Sequence, residues 1–404
     1  MRPPSRSAAV ILAGTGSFHR VVVVGSKAPL LGLLLWTFAQ TATGVAAPTV
    51  TAAAHFDVYS DPWLLVQSPA ADGSVVFGDH VEASARWRID ILSGATHVLV
   101  ADAISTATRF EETRHEVGVG VGWRGRDGRT LDASWTTSLE SDYATHALGL
   151  SGGSDLFDRM AHVQASWHVS LEHVGQSDDP TFGEDIRGHT IDLAWRQIVA
   201  PGTVLSLLAS GSRDRCGAAI GCQANPYRYI GLLPEAGAGD GVLFALRERH
   251  PDERWRGALG VRAAHAVGAS YALHAGYRFY GDSWRVKGHS VDLAVARSWA
   301  SERLILRLEG RATTQAPATF YRPRYTTSSM EPEAPAWRTA DRELAGLRSL
   351  EVATSAALRL PRLGALPPLL ATLRLARLWN RAADFAAQPE RNSWVLSGGA
   401  RARF

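Results

Sequence analysis

The chain has 404 residues, 46% hydrophobic and 20% charged, with a net charge of +3 and two cysteines. That balance excludes a disordered chain, and so small a net charge leaves no global basic field for nucleic acid. Two cysteines are too few for a disulfide scaffold and lack the further ligands of a zinc site.

From the N-terminus, Arg20 and Lys27 precede an apolar run from Ala28 to Phe38, and small residues follow at Ala42, Gly44, Ala46 and Ala47. This is the layout of a secretory signal with cleavage expected after Ala46, so residues 1–46 form a cleaved extension and 47–404 the mature protein. The run is too short for a comfortable transmembrane helix, which weighs against a retained anchor. The first two dozen or so residues lie far upstream for such a signal, so a later translation start is expected. No stretch after Ala47 holds 18 consecutive apolar residues, so no helical span is expected.

What recurs in the mature chain is alternation. Ala52 to Tyr59 and Trp63 to Pro69 read as a hairpin, followed by strands at Val81 to Ile91 and Val117 to Trp123. Ala161 to Leu171 sets Val163, Ala165, Trp167 and Val169 against His162, Gln164, Ser166 and His168. His189 to Ile198, Trp255 to Val267 and Ala269 to Tyr280 behave alike, and Ser290 to Trp299 sets Val291, Leu293 and Val295 against Ser290, Asp292 and Ser298. Leu304 to Thr313 and Ser349 to Leu360 continue the pattern. Period 2 is the strand period. Segment lengths suit a tilted membrane span rather than a sandwich strand.

Connections alternate between tight (Ala200–Thr203, Ala266–Ser270, Trp299–Arg303) and long (214–253, 315–344). Trp123, Trp195, Trp255, Tyr280, Trp284, Trp299, Trp379 and Trp394 stand near strand ends, where ring side chains suit the headgroup region. The last strand alternates Trp394, Leu396, Gly398, Ala400 and Ala402 with polar residues and ends in Phe404, which resembles the C-terminal signal read by the barrel-assembly machinery. The expected fold is therefore all-β: a transmembrane antiparallel up-and-down β-barrel in the lipid of a bacterial outer membrane. It has fourteen strands from Asp79 onward, or sixteen with the first hairpin, and both termini in the periplasm.

The strand faces opposite the apolar ones carry Arg278, Asp292, Arg307, Glu309, Arg311, Glu351, Arg359, Arg374, Arg401 and Arg403. Facing lipid, each charge would cost about 2–4 kcal/mol near the midplane, so they must line the interior. They either pair with one another or form an Arg-lined passage with mild anion preference. His146, His162, His168 and His173 offer a base for a barrel hydrolase, but no Ser or Asp motif accompanies them. Cys216 and Cys222 flank five residues of an exported loop and are expected to form a disulfide that stiffens it.

After the Val81–Ile91 strand come two related segments, Asp90-Ile91-Leu92-Ser93-Gly94-Ala95-Thr96 and Asp102-Ala103-Ile104-Ser105-Thr106-Ala107-Thr108. Each reads Asp-x-x-Ser-x-Ala-Thr and resembles the flavinylation motif, in which a periplasmic transferase joins FMN to the last Thr hydroxyl through a phosphoester. That resemblance implies covalent FMN at Thr96, and at Thr108 with Thr106 in place of the preferred glycine. Read without it, the stretch is a Ser/Thr/Gly/Ala loop. The loop falls on the extracellular side, so modification would precede assembly or require the loop to fold into the lumen.

Four further stretches are Glu112-Thr113-Arg114-His115-Glu116, Asn225-Pro226-Tyr227-Arg228, Tyr277-Arg278-Phe279-Tyr280-Gly281-Asp282-Ser283-Trp284 and Asp341-Arg342-Glu343-Leu344. With the paired tetrads they resemble an uncharacterised family of bacterial outer-membrane proteins, over residues 55–404. The resemblance implies an outer-membrane barrel. Members tend to be encoded near periplasmic thioredoxin-like proteins, a small lipoprotein and an FMN transferase, which implies an extracytosolic redox setting with those partners. A flavinylated electron-transfer barrel is the first expectation, a passive or weakly anion-preferring channel the second and a barrel hydrolase the third.

Overall fold

The computed structural model describes residues 48–96, 99–100, 103–104, 108–217, 222, 225–234, 244–327, 335–362, 364, 367–385 and 388–404, with the backbone alone at 94–96, 99–100, 103–104, 108–110 and 244. The expected signal segment, residues 1–46, lies outside the described residues, as do Asp102 and Ser105 of the second tetrad.

Sixteen strands close into one antiparallel barrel. In chain order they are β1 (Thr49–Ser60), β2 (Leu64–Phe77), β3 (Val81–Thr96), β4 (Thr108–Arg124), β5 (Thr130–Leu139), β6 (Tyr143–Leu156), β7 (Ala161–Gly175) and β8 (Gly183–Ala200). There follow β9 (Thr203–Cys216), β10 (Glu253–Val267), β11 (Tyr271–Asp282), β12 (Lys287–Trp299), β13 (Leu304–Gln315), β14 (Leu347–Leu360), β15 (Leu369–Ala382) and β16 (Glu390–Arg403). Each pairs with its sequence neighbours, and β1 closes on β16 from Thr51↔Arg403 to Ser60↔Trp394. Closure leaves no unpaired edge, the condition for a sheet to enter hydrocarbon.

The first hairpin belongs to the wall, which makes the count sixteen. Its second strand does not stop at Pro69. The ladder between β2 and β3 passes from Gln67↔Ile91 to Ala70↔Arg88, skipping Ser68 and Pro69, while Pro69 still pairs with Phe56 of β1. A proline costs its neighbour one donor without ending the strand, so breaking the strand there underestimates it.

Polarity is inverted relative to a soluble protein. On β12 the side chains of Val291, Leu293 and Val295 are 48%, 61% and 37% exposed on the outside, while Asp292 between them lines an interior cavity. Comparable aliphatic exposure runs round the barrel, at Val119, Leu148, Ile191, Leu259, Leu308 and Leu373. A closed, even-stranded wall that shows apolar side chains outward and charges inward is built for lipid. The chain is a bacterial outer-membrane β-barrel.

One end of the barrel carries short connections and the first and last described residues, Pro48 and Phe404; several turns there use glycine with positive φ, as at Gly78, Gly202 and Gly268. The other end carries the long connections 217–252 and 316–346. These two fold together: Tyr229–Pro234 pairs antiparallel with Phe244–Arg247 and parallel with Tyr325–Thr327. Ile230, Leu232 and Tyr325 form one small core, and Trp284, Val286, Ala318, Tyr321, Leu344, Ala345 and Ala382 another. The result is a folded cap rather than a fringe of separate loops.

Trp123, Trp255, Trp379 and Trp394 face outward as expected of a girdle. Tyr280 and Trp284 do not. Trp284 is buried in the cap core with Tyr280 packed against it. Strand alternation sends Tyr277 outward and Tyr280 inward, and Trp284 lies beyond the strand end, where parity no longer applies.

Candidate functional site

Antiparallel register aligns charges that lie far apart in sequence. Starting on β14, Glu351 pairs with Arg311, Arg311 with Asp292 and Asp292 with Gly276. The line continues from Gly276 to Arg262, Ser206 and Arg196, then to His162 and Asp155. All lie on the inward parity. Glu351 is near the Leu347 end of its strand, on the capped side, and Asp155 adjoins the Leu156 end, on the tight-turn side. Strands tilt against a barrel axis, so a row of paired residues descends obliquely through the wall. Here it runs from one mouth towards the other.

A cavity of about 540 Å3 opens along this row, lined by Arg196, Ser206, Arg262, Asp292, Arg311 and Glu351 together with His274, Arg307 and Glu309. Asp292 leans across β11 into the space a side chain at Gly276 would take: a Cβ there would lie 2.6 Å from its Oδ1. Arg374 donates to Glu309 at 2.8 Å and also to Glu351, and Arg307 donates to Glu309 at 3.0 Å. The expectation of mutual pairing therefore holds for this group.

The cap is tied to the barrel by the stretches singled out in the sequence. Asp282, with no exposed side-chain surface, accepts from Arg254, from the Tyr280 hydroxyl at 3.0 Å and from the Val286 amide at 2.9 Å. The Arg254 guanidinium lies 4.0 Å over the Trp284 ring. Arg228 pairs with Asp341, which joins the two long connections. Asp341 also caps the short 3-10 turn Arg342–Leu344, and Arg342 donates to the carbonyls of Asn380 and Gln388 at 3.2 Å. On the opposite flank Tyr227 donates to Asp142, and Arg247 donates to Gln176 Oε1 at 3.0 Å. The cap thus grips the rim from the β5–β6 turn round to the β15–β16 connection. Burial, with Asp142 beside it, raises the Tyr227 phenol above its ordinary range, and burial pushes Tyr321 up to about 12. Burial, with Arg391 nearby, lowers Arg342.

Of the residues proposed for flavin attachment, Thr96 ends β3 and Thr108 begins β4, and the two are register partners. Gly94 pairs with Phe110 just below. Asp90 is buried and held by Arg88 at 2.8 Å and by Arg114, so it serves the wall rather than the loop tip. Ser93 pairs with Glu111. Cys216 and Cys222 form a disulfide, with Cα atoms 5.5 Å apart, at the root of the β9–β10 connection.

The four histidines do not share a face. His162 and His168 lie on the inward parity, His162 Nδ1 within 2.8 Å of Asp155. His146 packs on outward Trp135 and bonds Thr137, and His173 meets exposed Asp185, so both are on the outer surface. They do not form one inward group, because His146 and His173 share parity with Leu148 and Leu171, which face lipid. Arg196 and Arg262 are the wall residues that reasoning from sequence missed. Their parity was available, since Leu193 and Leu259 face outward, but their alignment with Arg311 is a matter of register.

A family described as a protein of unknown function (DUF3570) matches residues 214–367. The match takes in both long connections and β10 to β14, with Asn225–Arg228, Tyr277–Trp284 and Asp341–Leu344, and leaves out Glu112–Glu116 and the tetrads. No curated protein matches the chain. Among solved structures, a bacterial polysaccharide outer membrane secretin aligns at 9% identity and TM-score 0.47, over 88% of this chain and 98% of that one. OprD of Pseudomonas aeruginosa aligns at 9% identity and TM-score 0.44, over 90% and 97%. OccD3 (OpdP) of the same organism gives 11% and 0.45, over 90% and 93%.

Proposed function

We propose that this barrel is a passive channel for small hydrophilic solutes across the outer membrane, with its tight turns in the periplasm and its cap outside. The observation that carries the reading is the inner wall. A sixteen-strand circumference is wide enough for an aqueous lumen, and the cavity beside Arg196, Arg262 and Arg311 is charged and open to water rather than filled with apolar side chains. Among the described residues the cap grips the rim from the β5–β6 turn round to the β15–β16 connection. Folded protein reconstituted into planar bilayers is expected to give discrete conductance steps. A folded, inserted barrel that passes no current would remove this reading.

The register between Thr96 and Thr108 supports a second reading, covalent FMN where β3 ends and β4 begins. The two residues stand opposite each other in the ladder, and a periplasmic transferase would reach them before the barrel assembles. Native protein from cells holding an FMN transferase is then expected to show flavin fluorescence and added mass, both lost in the Thr96→Ala/Thr108→Ala variant. Unmodified native protein from such cells decides against it.

A further inference from the structure

Ion pairing along the oblique row is uneven. Glu351 is engaged by Arg374, and Asp155 by His162 at 2.8 Å. Glu309, next to the row, is shared by Arg374 at 2.8 Å and Arg307 at 3.0 Å. Arg196, Arg262 and Arg311 have no ion pair or hydrogen bond among the described residues, and Asp292 is the one acid of the row left to face them. Asp292 leans onto Gly276, the residue that separates it in the row from Arg262. Three guanidiniums against one carboxylate leave this cavity wall positive.

A guanidinium offers its N–H groups as a planar fork that matches two oxygens of a carboxylate or phosphate, whereas chloride gains from the charge alone. We infer that the cavity is a binding site for small oxyanions bearing a carboxylate or phosphate group, held between Arg262 and Arg311 and passed down the row to Arg196. Asp292 keeps the hold weak. A site on a permeation path must release what it takes, and a fixed negative charge between the two donors shortens the stay. The inference deepens the channel reading and rests on it for the passage, while the site itself can be tested separately.

The experiment uses the full mature barrel in planar bilayers, with benzoate and inorganic phosphate as probes added to potassium chloride. Wild type is expected to be anion-selective and to show saturable reduction of chloride current by the preferred probe. The stronger of the two effects tells which oxyanion the site favours. In Arg262→Gln/Arg311→Gln, anion-over-cation permeability should fall about fivefold per guanidinium removed, the factor carried by a unit charge at contact distance in water. The reduction of current by the probe should disappear with it. Arg262→Lys/Arg311→Lys keeps the charge without the fork, so it should stay anion-selective while the probe effect weakens. Arg297→Gln, stacked on Tyr271 and Trp299 away from the row, controls for loss of any arginine. Heat-modifiable migration of each variant verifies that it has folded. Unchanged selectivity and unchanged probe effect in the glutamine pair would overturn the site. If the wild type carries no current, the channel reading falls alone, and calorimetric titration of detergent-solubilised barrel decides the site. Heat that saturates in wild type and vanishes in the glutamine pair upholds it, and no heat in wild type rejects it.

Discussion

Leu293→Arg is expected to destabilise the barrel in lipid by about 2–4 kcal/mol, while Ala294→Arg, one residue along, leaves it close to wild type. Leu293 is 61% exposed on the outer face at mid-strand, so its replacement would set a guanidinium in hydrocarbon. Ala294 faces the lumen between His274 and Glu309 in register, where an added arginine finds water and a carboxylate. The measurement is guanidine-dependent tryptophan fluorescence of each variant in vesicles, with heat-modifiable electrophoresis as a check on insertion. Equal losses for the two variants would contradict the assignment of inner and outer faces. The comparison is sharp because the two positions share a strand, a depth and an introduced side chain.

The second large effect concerns Asp282. Its carboxylate sits at the end of β11 with no exposed surface, and it gathers Arg254, Tyr280 and the Val286 amide in one place. Asp282→Asn leaves the mostly buried Arg254 without its counter-charge, a change that costs about 3–5 kcal/mol when a buried pair loses one partner. Because Arg254 stacks on Trp284 and Trp284 belongs to the cap core, the loss should open the cap and spare the wall. Limited proteolysis is expected to cut within 225–234, 244–252 or 316–327 in the variant and not in wild type, with the barrel band still heat-modifiable. A cap as protease-resistant as wild type would show that Asp282 does not hold it.

The wall was legible from the sequence because period 2 is a local property. Val291, Asp292 and Leu293 declare their faces to anyone counting by twos. What lay beyond reach was register. Arg262 and Arg311 sit on strands separated by two others, and only the sum of three pairings brings them into one line through Asp292 and Gly276. The cap was illegible for the same reason on a larger scale. Tyr280 and Trp284 looked like headgroup anchors because type and position near a strand end are visible, whereas the partner that buries them, a segment of the other long connection, is not. Asp90, the first residue of a tetrad, is engaged by Arg88 and Arg114 in the wall, which sequence alone does not show. A short motif does not reveal whether its acidic member is already spoken for.

The union of the two long connections fixes an order of events during assembly. Glu248 accepts from the Ala340 amide across 92 positions of chain, and four wall strands lie between them. Such contacts repay the entropy of closing that stretch only once β10 to β13 have already brought its ends together. Until then the small cores stay apart, Trp284 and Ile230 among them, as exposed oily surface on an unfinished molecule. The cap is thus expected to zip together after the four wall strands beneath it have paired. A chain delayed before that step would be the form most at risk of sticking to its neighbours.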